Sequence, residues 1–126
     1  MRVIYVSGPL TGDGTRQVVW ENMMRAREIA ILLWELGAAP ICPHLNTLFM
    51  DGTSINYEKF IEGEKELVKR SDGVVRLPGE SEGADIETEL AAALKIPVLF
   101  LKHSFILASL TSNPWQDQVR EFLKTL

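Results

Sequence analysis

At 126 residues, 46% apolar and 24% charged, the chain is long enough to bury one core, and no apolar run approaches the roughly 20 residues that cross a bilayer. A single domain over residues 1–126 is therefore expected, with no membrane partner. The formal charge of −4 argues against duplex DNA or RNA as a partner, since such surfaces carry basic patches, and it leaves small molecules as the expected ligands.

The start, MRVIYVSG, runs straight into a strand pattern without a basic leader, so a cytoplasmic location is expected. Cys42 is the only cysteine, which excludes an intrachain disulfide. It reads as a small buried apolar side chain, and a nucleophilic pair with His44 is the alternative. His44 and His103 are too few and too far from other ligand types for a zinc site, so no metal is expected.

Val3 to Val6 is a β-branched and aromatic run that suits a short buried strand, ended by Ser7-Gly8-Pro9. The loop Gly8-Pro9-Leu10-Thr11-Gly12-Asp13-Gly14 follows; it matches neither a Walker nor a dinucleotide fingerprint, and no cofactor is expected. Thr15 to Leu36 predicts a long helix, with Val19, Met23, Ala26, Ala30 and Leu33 on one stripe and Gly37 as its stop. Asn22 sits within that stripe, where a buried amide could hold the preceding loop or touch a ligand.

Ala38 to Cys42 reads as a second strand, placed at a sheet edge by Pro40. Pro43 to Ile55 carries His44, Asn46, Asp51, Gly52 and Ser54 without a period, and predicts a long loop of the kind that builds active sites. Asn56 to Ser71 is helical, with Tyr57, Phe60, Ile61, Leu67 and Val68 on an inward stripe. Val74 to Leu77 is a third strand and Ala84 to Lys95 a further helix. Pro97 to Leu101 is a fully apolar fourth strand. Phe105 to Leu110 is an apolar piece, and Ser112-Asn113-Pro114 opens an amphipathic C-terminal helix. Of Trp20, Trp34 and Trp115, at least one is expected to be exposed.

Strand and helix alternate throughout. That pattern predicts an α/β domain, a flavodoxin- or Rossmann-like three-layer sandwich with a mostly parallel sheet of four to five strands. Ligands in such folds bind at the carboxyl ends of the strands, which here means the loops after Val6, Cys42 and Leu77.

Two acidic residues break their local pattern. Glu64 occupies the missing position of the inward stripe of its helix, whereas Glu58, Lys59, Glu62, Lys65, Glu66 and Lys69 lie outside it. A carboxylate there either meets a lysine or arginine from elsewhere or serves a functional site. Glu87 lies apart from the acidic face of Glu82, Asp85 and Glu89 and in line with Ala91 and Leu94. It is either an ordinary helix-start glutamate or an inward carboxylate held ionised by the helix dipole. Two inward carboxylates on successive helices form the kind of pair that cleaves glycosidic bonds without a metal.

Three elements carry a resemblance to a known family: Ile4-Tyr5-Val6-Ser7-Gly8-Pro9, an acidic residue eight positions before Asp72, and Ser81-x-Gly83-x-x-x-Glu87. Together they resemble the nucleoside 2-deoxyribosyltransferase superfamily over about Arg2 to Leu101, nearest to a branch of small phage-associated proteins and related to deoxynucleoside monophosphate N-glycosidases. The resemblance implies a catalytic set of Glu87 as nucleophile, Tyr5 orienting it, and Glu64 assisting departure of the base. Glu64 stands where the family usually has an aspartate, and a displacement on that scale can cost about 10²-fold in rate.

The expected substrate-binding residues are Ser7, Gly8, Pro9, Asn22, His44, Ser81 and Gly83, with Ser81 at the position of the phosphate-binding serine. Glu80, Glu82 and Asp85 oppose a phosphate there. The implied activity is N-glycosidic cleavage or transfer on a nucleoside or nucleotide, by a homodimer or higher homo-oligomer. A nucleotide-binding module without turnover is the alternative.

Overall fold

The computed structural model describes residues 1–50, 52–102 and 114–126. Four strands form one all-parallel sheet: β1 (Val3–Ser7), β2 (Ala39–Ile41), β3 (Gly73–Arg76) and β4 (Val98–Phe100), in the order β2-β1-β3-β4. Helices α1 (Arg16–Glu35), α2 (Pro43–Asn46), α3 (Tyr57–Lys69), α4 (Glu82–Ala93) and α5 (Pro114–Thr125) complete the described elements. The architecture is the Rossmann-like α/β fold that the alternating pattern predicts.

Side-chain alternation along β1 sorts the core into two layers. Ile4 and Val6 pack with Ala26, Ile29, Leu32 and Leu33 of α1 and with Trp115, Val119 and Phe122 of α5. Tyr5 turns to the opposite face, where it meets Val68 of α3, Val74 of β3 and Ala91 of α4. The parallel register sets Ser7 beside Arg76 and Tyr5 beside Val74, so all four belong to that second face.

Local signals fix the helix ends. Thr15 caps α1 by accepting the Val18 N–H at 3.3 Å. At the other end Gly37 has φ +81°, its N–H donates to Trp34 O, and the Ala38 N–H donates to Leu33 O, the pairing of a Schellman motif. Asn56 caps α3 through the Lys59 N–H, and Ser81 caps α4 through the Ala84 N–H.

The structure departs from the sequence expectations in three places. The segment after Cys42 is not loop throughout: Pro43 at the first helical position starts the short helix α2. β4 is only partly buried, with Phe100 57% exposed, because it lies at the sheet edge rather than between two neighbours. Tyr57 is not in the core of α3 but 65% exposed. Pro40 does sit on an edge strand, where its missing N–H costs no ladder bond to a further neighbour. Trp20 and Trp34 are exposed and Trp115 is buried. Asp51, His103 and the apolar piece Phe105 to Leu110 lie outside the described residues.

Candidate active site

A cavity of about 490 Å³ opens where the order of the strands reverses, at the carboxyl ends of β1 and β3. Its wall comes from the three loops expected for it. The β1 loop gives Gly8, Pro9, Leu10, Thr11 and Gly12, the segment after β2 gives Pro43, His44 and Thr47, and the start of α4 gives Glu80 to Ala84. Tyr57, Ile61 and Glu64 of α3 close one side, and Glu87 projects from α4.

Glu87 is the most constrained carboxylate in the site, at 6% exposure. The Tyr5 hydroxyl donates to its Oε2, and the Ser7 hydroxyl donates to its Oε1 at 3.1 Å. Tyr5 and Ser7 reach the same carboxylate because residues two apart on a strand share a face. Burial raises the Glu87 pKa, while the bonds from Tyr5 and Ser7 and the charge of Arg76 pull it down. The helix dipole expected from sequence adds little, since Glu87 lies in the second turn of α4 and the effect fades beyond the first. Burial and the adjacent Glu87 also hold the Tyr5 phenol far above its ordinary range, so it remains a donor.

Glu64 is half-buried on the cavity wall, and among the described residues no lysine or arginine pairs with it. Its pKa is pushed up to about 7, first by burial and then by the charge of Glu87. The two carboxylates thus compete for one proton. The pKa of Glu87 is also raised, but it has two hydroxyl donors that favour its anion and Glu64 has none among the described residues, so hydrogen bonding favours the charged form at Glu87 over Glu64.

The other expected site residues divide between wall and support. Gly8, Pro9, His44, Ser81 and Gly83 line the cavity. Ser7 lies behind it, holding Glu87. Asn22 is absent from the wall: its amide donates to Leu10 O at 3.0 Å and accepts from Arg25, which fastens the β1 loop from below. His44 is buried, with Nε2 bonded to Pro9 O at 2.8 Å and Nδ1 without a partner among the described residues. Burial lowers its pKa, so a neutral ring donates from Nε2 and leaves an acceptor lone pair at Nδ1. Cys42 packs against the α1 layer, and burial raises its thiol to about 11, the reverse of what a nucleophile needs.

Arg76 escaped the sequence reading. It is buried at the end of β3, donates to Leu77 O and to Gly79 O at 2.9 Å, and pairs with Asp85 at 3.2 Å. The available signal was a lone arginine between apolar strand residues. Tyr57 was missed because its spacing matches the core stripe. Among the described residues no group of three His, Cys, Asp or Glu side chains is arranged to hold a metal ion.

Residues 2–101 match a family model described only as a domain of unknown function, DUF7768. The chain belongs to the DUF7768 family. Curated proteins provide no match to it. Among solved structures, this DUF7768 domain is similar to a 2-deoxyribosyltransferase from the psychrotolerant bacterium Bacillus psychrosaccharolyticus. That likeness has 20% identity and a TM-score of 0.62, over 91% of this chain and 88% of the other. It is also similar to a 2-deoxyribosyltransferase from Leishmania mexicana, with 17% identity and a TM-score of 0.56, over 79% of this chain and 63% of the other. At these identities the DUF7768 domain shares their fold.

Proposed function

We propose that this protein breaks the N-glycosidic bond of a deoxynucleoside or its 5′-monophosphate, passing the sugar to water or to a second base. The observation that carries the reading is the buried Glu87 carboxylate, bonded by Tyr5 and Ser7 and sharing a cavity with a second carboxylate, Glu64, of raised pKa. The fold shared with two 2-deoxyribosyltransferases supports it.

In this reading the Glu87 carboxylate attacks C1′ as the C1′–N bond breaks. The bonding electrons leave with the base, and Glu64 supplies the proton that makes the base a neutral leaving group. A glycosyl ester on Glu87 results. Water or an incoming base then attacks C1′, the ester C–O bond breaks, and the acceptor's proton returns to Glu64. Tyr5 and Ser7 hold the nucleophile in one orientation throughout. Tyr57 and Ile61 beside Glu64 offer an aromatic and an aliphatic surface for the face of the base. A homo-oligomer in the cytoplasm is part of the same proposal.

The test is incubation with a panel of purine and pyrimidine deoxynucleosides and 5′-monophosphates, with and without an acceptor base, followed by chromatography. Free or exchanged base is expected from the parent and none from Glu87→Gln. If no substrate releases base, and Glu87→Gln binds the panel as the parent does, the catalytic reading fails. Glutamate at position 64, where the resembling family has aspartate, favours a second reading, a nucleotide-binding module without turnover. Thermal stabilisation by a ligand recovered intact would identify it; a ligand at 100 times its Kd adds about 2.7 kcal/mol.

A further inference from the structure

Arg76 is the only buried cation among the described residues, at the end of β3 and tied to α4 through Asp85. We propose that it is a positioning residue for the reaction above: it clamps the β3 loop on which the β1 loop rests, and it sets a positive charge beside the strand residue that grips Glu87. The inference rests on the glycosidic reading and adds to it a residue that touches no substrate.

An arginine taken out of water needs its guanidinium donors filled. Arg76 fills them with Leu77 O, with Gly79 O at 2.9 Å and with Asp85 at 3.2 Å. The two carbonyls belong to the residues against which the β1 loop packs. A Cβ on Gly8 would lie 2.9 Å from Cβ of Leu77, and one on Gly79 would lie 2.8 Å from Cγ of Pro9, so the two loops approach more closely than larger residues permit. The Leu77 N–H donates to Ser7 O at 2.8 Å, and Pro9 O in turn accepts from His44. One guanidinium therefore fixes the loop that supports Gly8, Pro9 and His44 on the cavity wall, while it stays off that wall itself.

The parallel register sets Arg76 beside Ser7, whose hydroxyl donates to Glu87 Oε1. Among the described residues no hydrogen bond joins Arg76 to Glu87, so its charge acts through space and leaves the carboxylate free to attack. No other group around Glu87 is positive. Tyr5 of β1 bonds it, Tyr57 and Glu64 of α3 and His44 of α2 share its cavity, and Glu80, Glu82 and Asp85 lie on its own loop and helix. Burial favours the neutral ring of His44. The Asp85 side chain is 65% exposed, so water screens it more than it screens the buried guanidinium, and the pair does not cancel. The charge of Arg76 thus opposes the burial that raises the Glu87 pKa.

The experiment is carbon-13 NMR titration of the Glu87 side-chain carboxyl, assigned by its loss in Glu87→Gln, alongside the pH profile of kcat/KM. Arg76→Met removes charge and donors together. It is expected to lower the Glu87 ionisation constant by roughly tenfold to a hundredfold and to carry the acid limb to higher pH. Arg76→Lys keeps the charge but lacks the fork that spans two carbonyls and Asp85. Its Glu87 ionisation constant should stay within about threefold of the parent's, while KM rises as the loops loosen. Asp85→Asn frees the Arg76 charge and removes a negative neighbour of Glu87, and both effects should raise the ionisation constant, by about twofold to fivefold.

A Glu87 ionisation constant within about twofold of the parent's in Arg76→Met, or a fall that Arg76→Lys shares in full, overturns the charge role. An unchanged KM in Arg76→Lys overturns the clamp. If Arg76→Met does not fold, Asp85→Asn decides, because a Glu87 titration unmoved by that exposed change means that no field from the pair reaches the carboxylate. A parent that releases no base, with the titrations as expected, removes the glycosidic reading and leaves Arg76 as the residue that sets the charge of Glu87.

Discussion

Tyr5 and Glu87 lie 82 positions apart in the chain and share a buried hydrogen bond, with the phenol as donor to Oε2. A neutral donor fixes the carboxylate without cancelling its charge, whereas an arginine in direct contact would hold it as a spent ion pair. Ser7, one strand step further along, completes the grip on Oε1. Burial and hydrogen bonding act on Glu87 in opposite directions, and each can be removed separately.

Tyr5→Phe keeps the ring and deletes the donor. Burial then meets less opposition, so the Glu87 pKa rises further and the acid limb of kcat/KM moves to higher pH. A hydrogen bond to a charged group contributes about 1.5–3 kcal/mol, which predicts a fall in kcat of roughly tenfold to a hundredfold. An acid limb that stays in place would remove Tyr5 from the proposed machinery.

Glu64→Gln tests the proton donor. With a pKa of about 7, Glu64 carries its proton below neutrality and loses it above, so the parent's kcat/KM should decline as pH rises through about 7. The variant should lack that alkaline limb and run at a low rate throughout. Stability supplies a second readout. The folded pKa is raised above the ordinary 4.5, so the unfolded chain binds fewer protons between those values, and Glu64 lowers stability progressively as pH climbs from about 4.5 to about 7. Because Glu64 is only half-buried, solvent screening reduces the effect to the order of 1 kcal/mol. Thermal melts should therefore place Glu64→Gln above the parent by a few degrees at pH 8 and level with it at pH 4.

Gly12→Ala probes the loop over the cavity. Gly12 has φ +51°, and an added Cβ would lie 2.3 Å from Cγ1 of Val18, a side chain stiff about χ1. Left-handed backbone and overlap act together, and a loss of about 2–4 kcal/mol is expected in urea titrations. An unchanged midpoint would mean that the loop adopts another course.

Asn22→Ala removes the tie to Leu10 O while leaving every wall residue in place. A loss of about 1–3 kcal/mol in stability is expected from the unpaired carbonyl, together with a KM that rises more than kcat falls, since the loop is loosened and the carboxylates are untouched. The opposite split, with kcat collapsing at constant KM, would place Asn22 in the chemistry.

Glu64 and Glu87 were legible in the chain because each stood against its local helical pattern, and a carboxylate on an apolar stripe is conspicuous. The same logic failed for Tyr57, whose side chain fits the stripe by spacing yet sits at the cavity mouth. It failed for Asn22 in the opposite sense: the stripe position was correct, but the amide turns to the loop from beneath. Arg76 gave only the weak signal of one arginine in an apolar strand, and its partners Gly79 and Asp85 come from the following loop and helix.

Periodicity, caps and breakers determined the element order and the parallel α/β architecture, because these depend on contacts a few residues apart and on which face of each element avoids water. Sequence also determined that two carboxylates were out of place. Only the tertiary structure decided that they face one cavity, that Tyr5 and Ser7 grip one of them and no described cation pairs with the other, and that the wall carries no lysine or arginine. Those relations arise from strand order and register, which bring together residues about 80 positions apart, and a carboxylate's charge state follows from what surrounds it in space rather than from its neighbours along the chain.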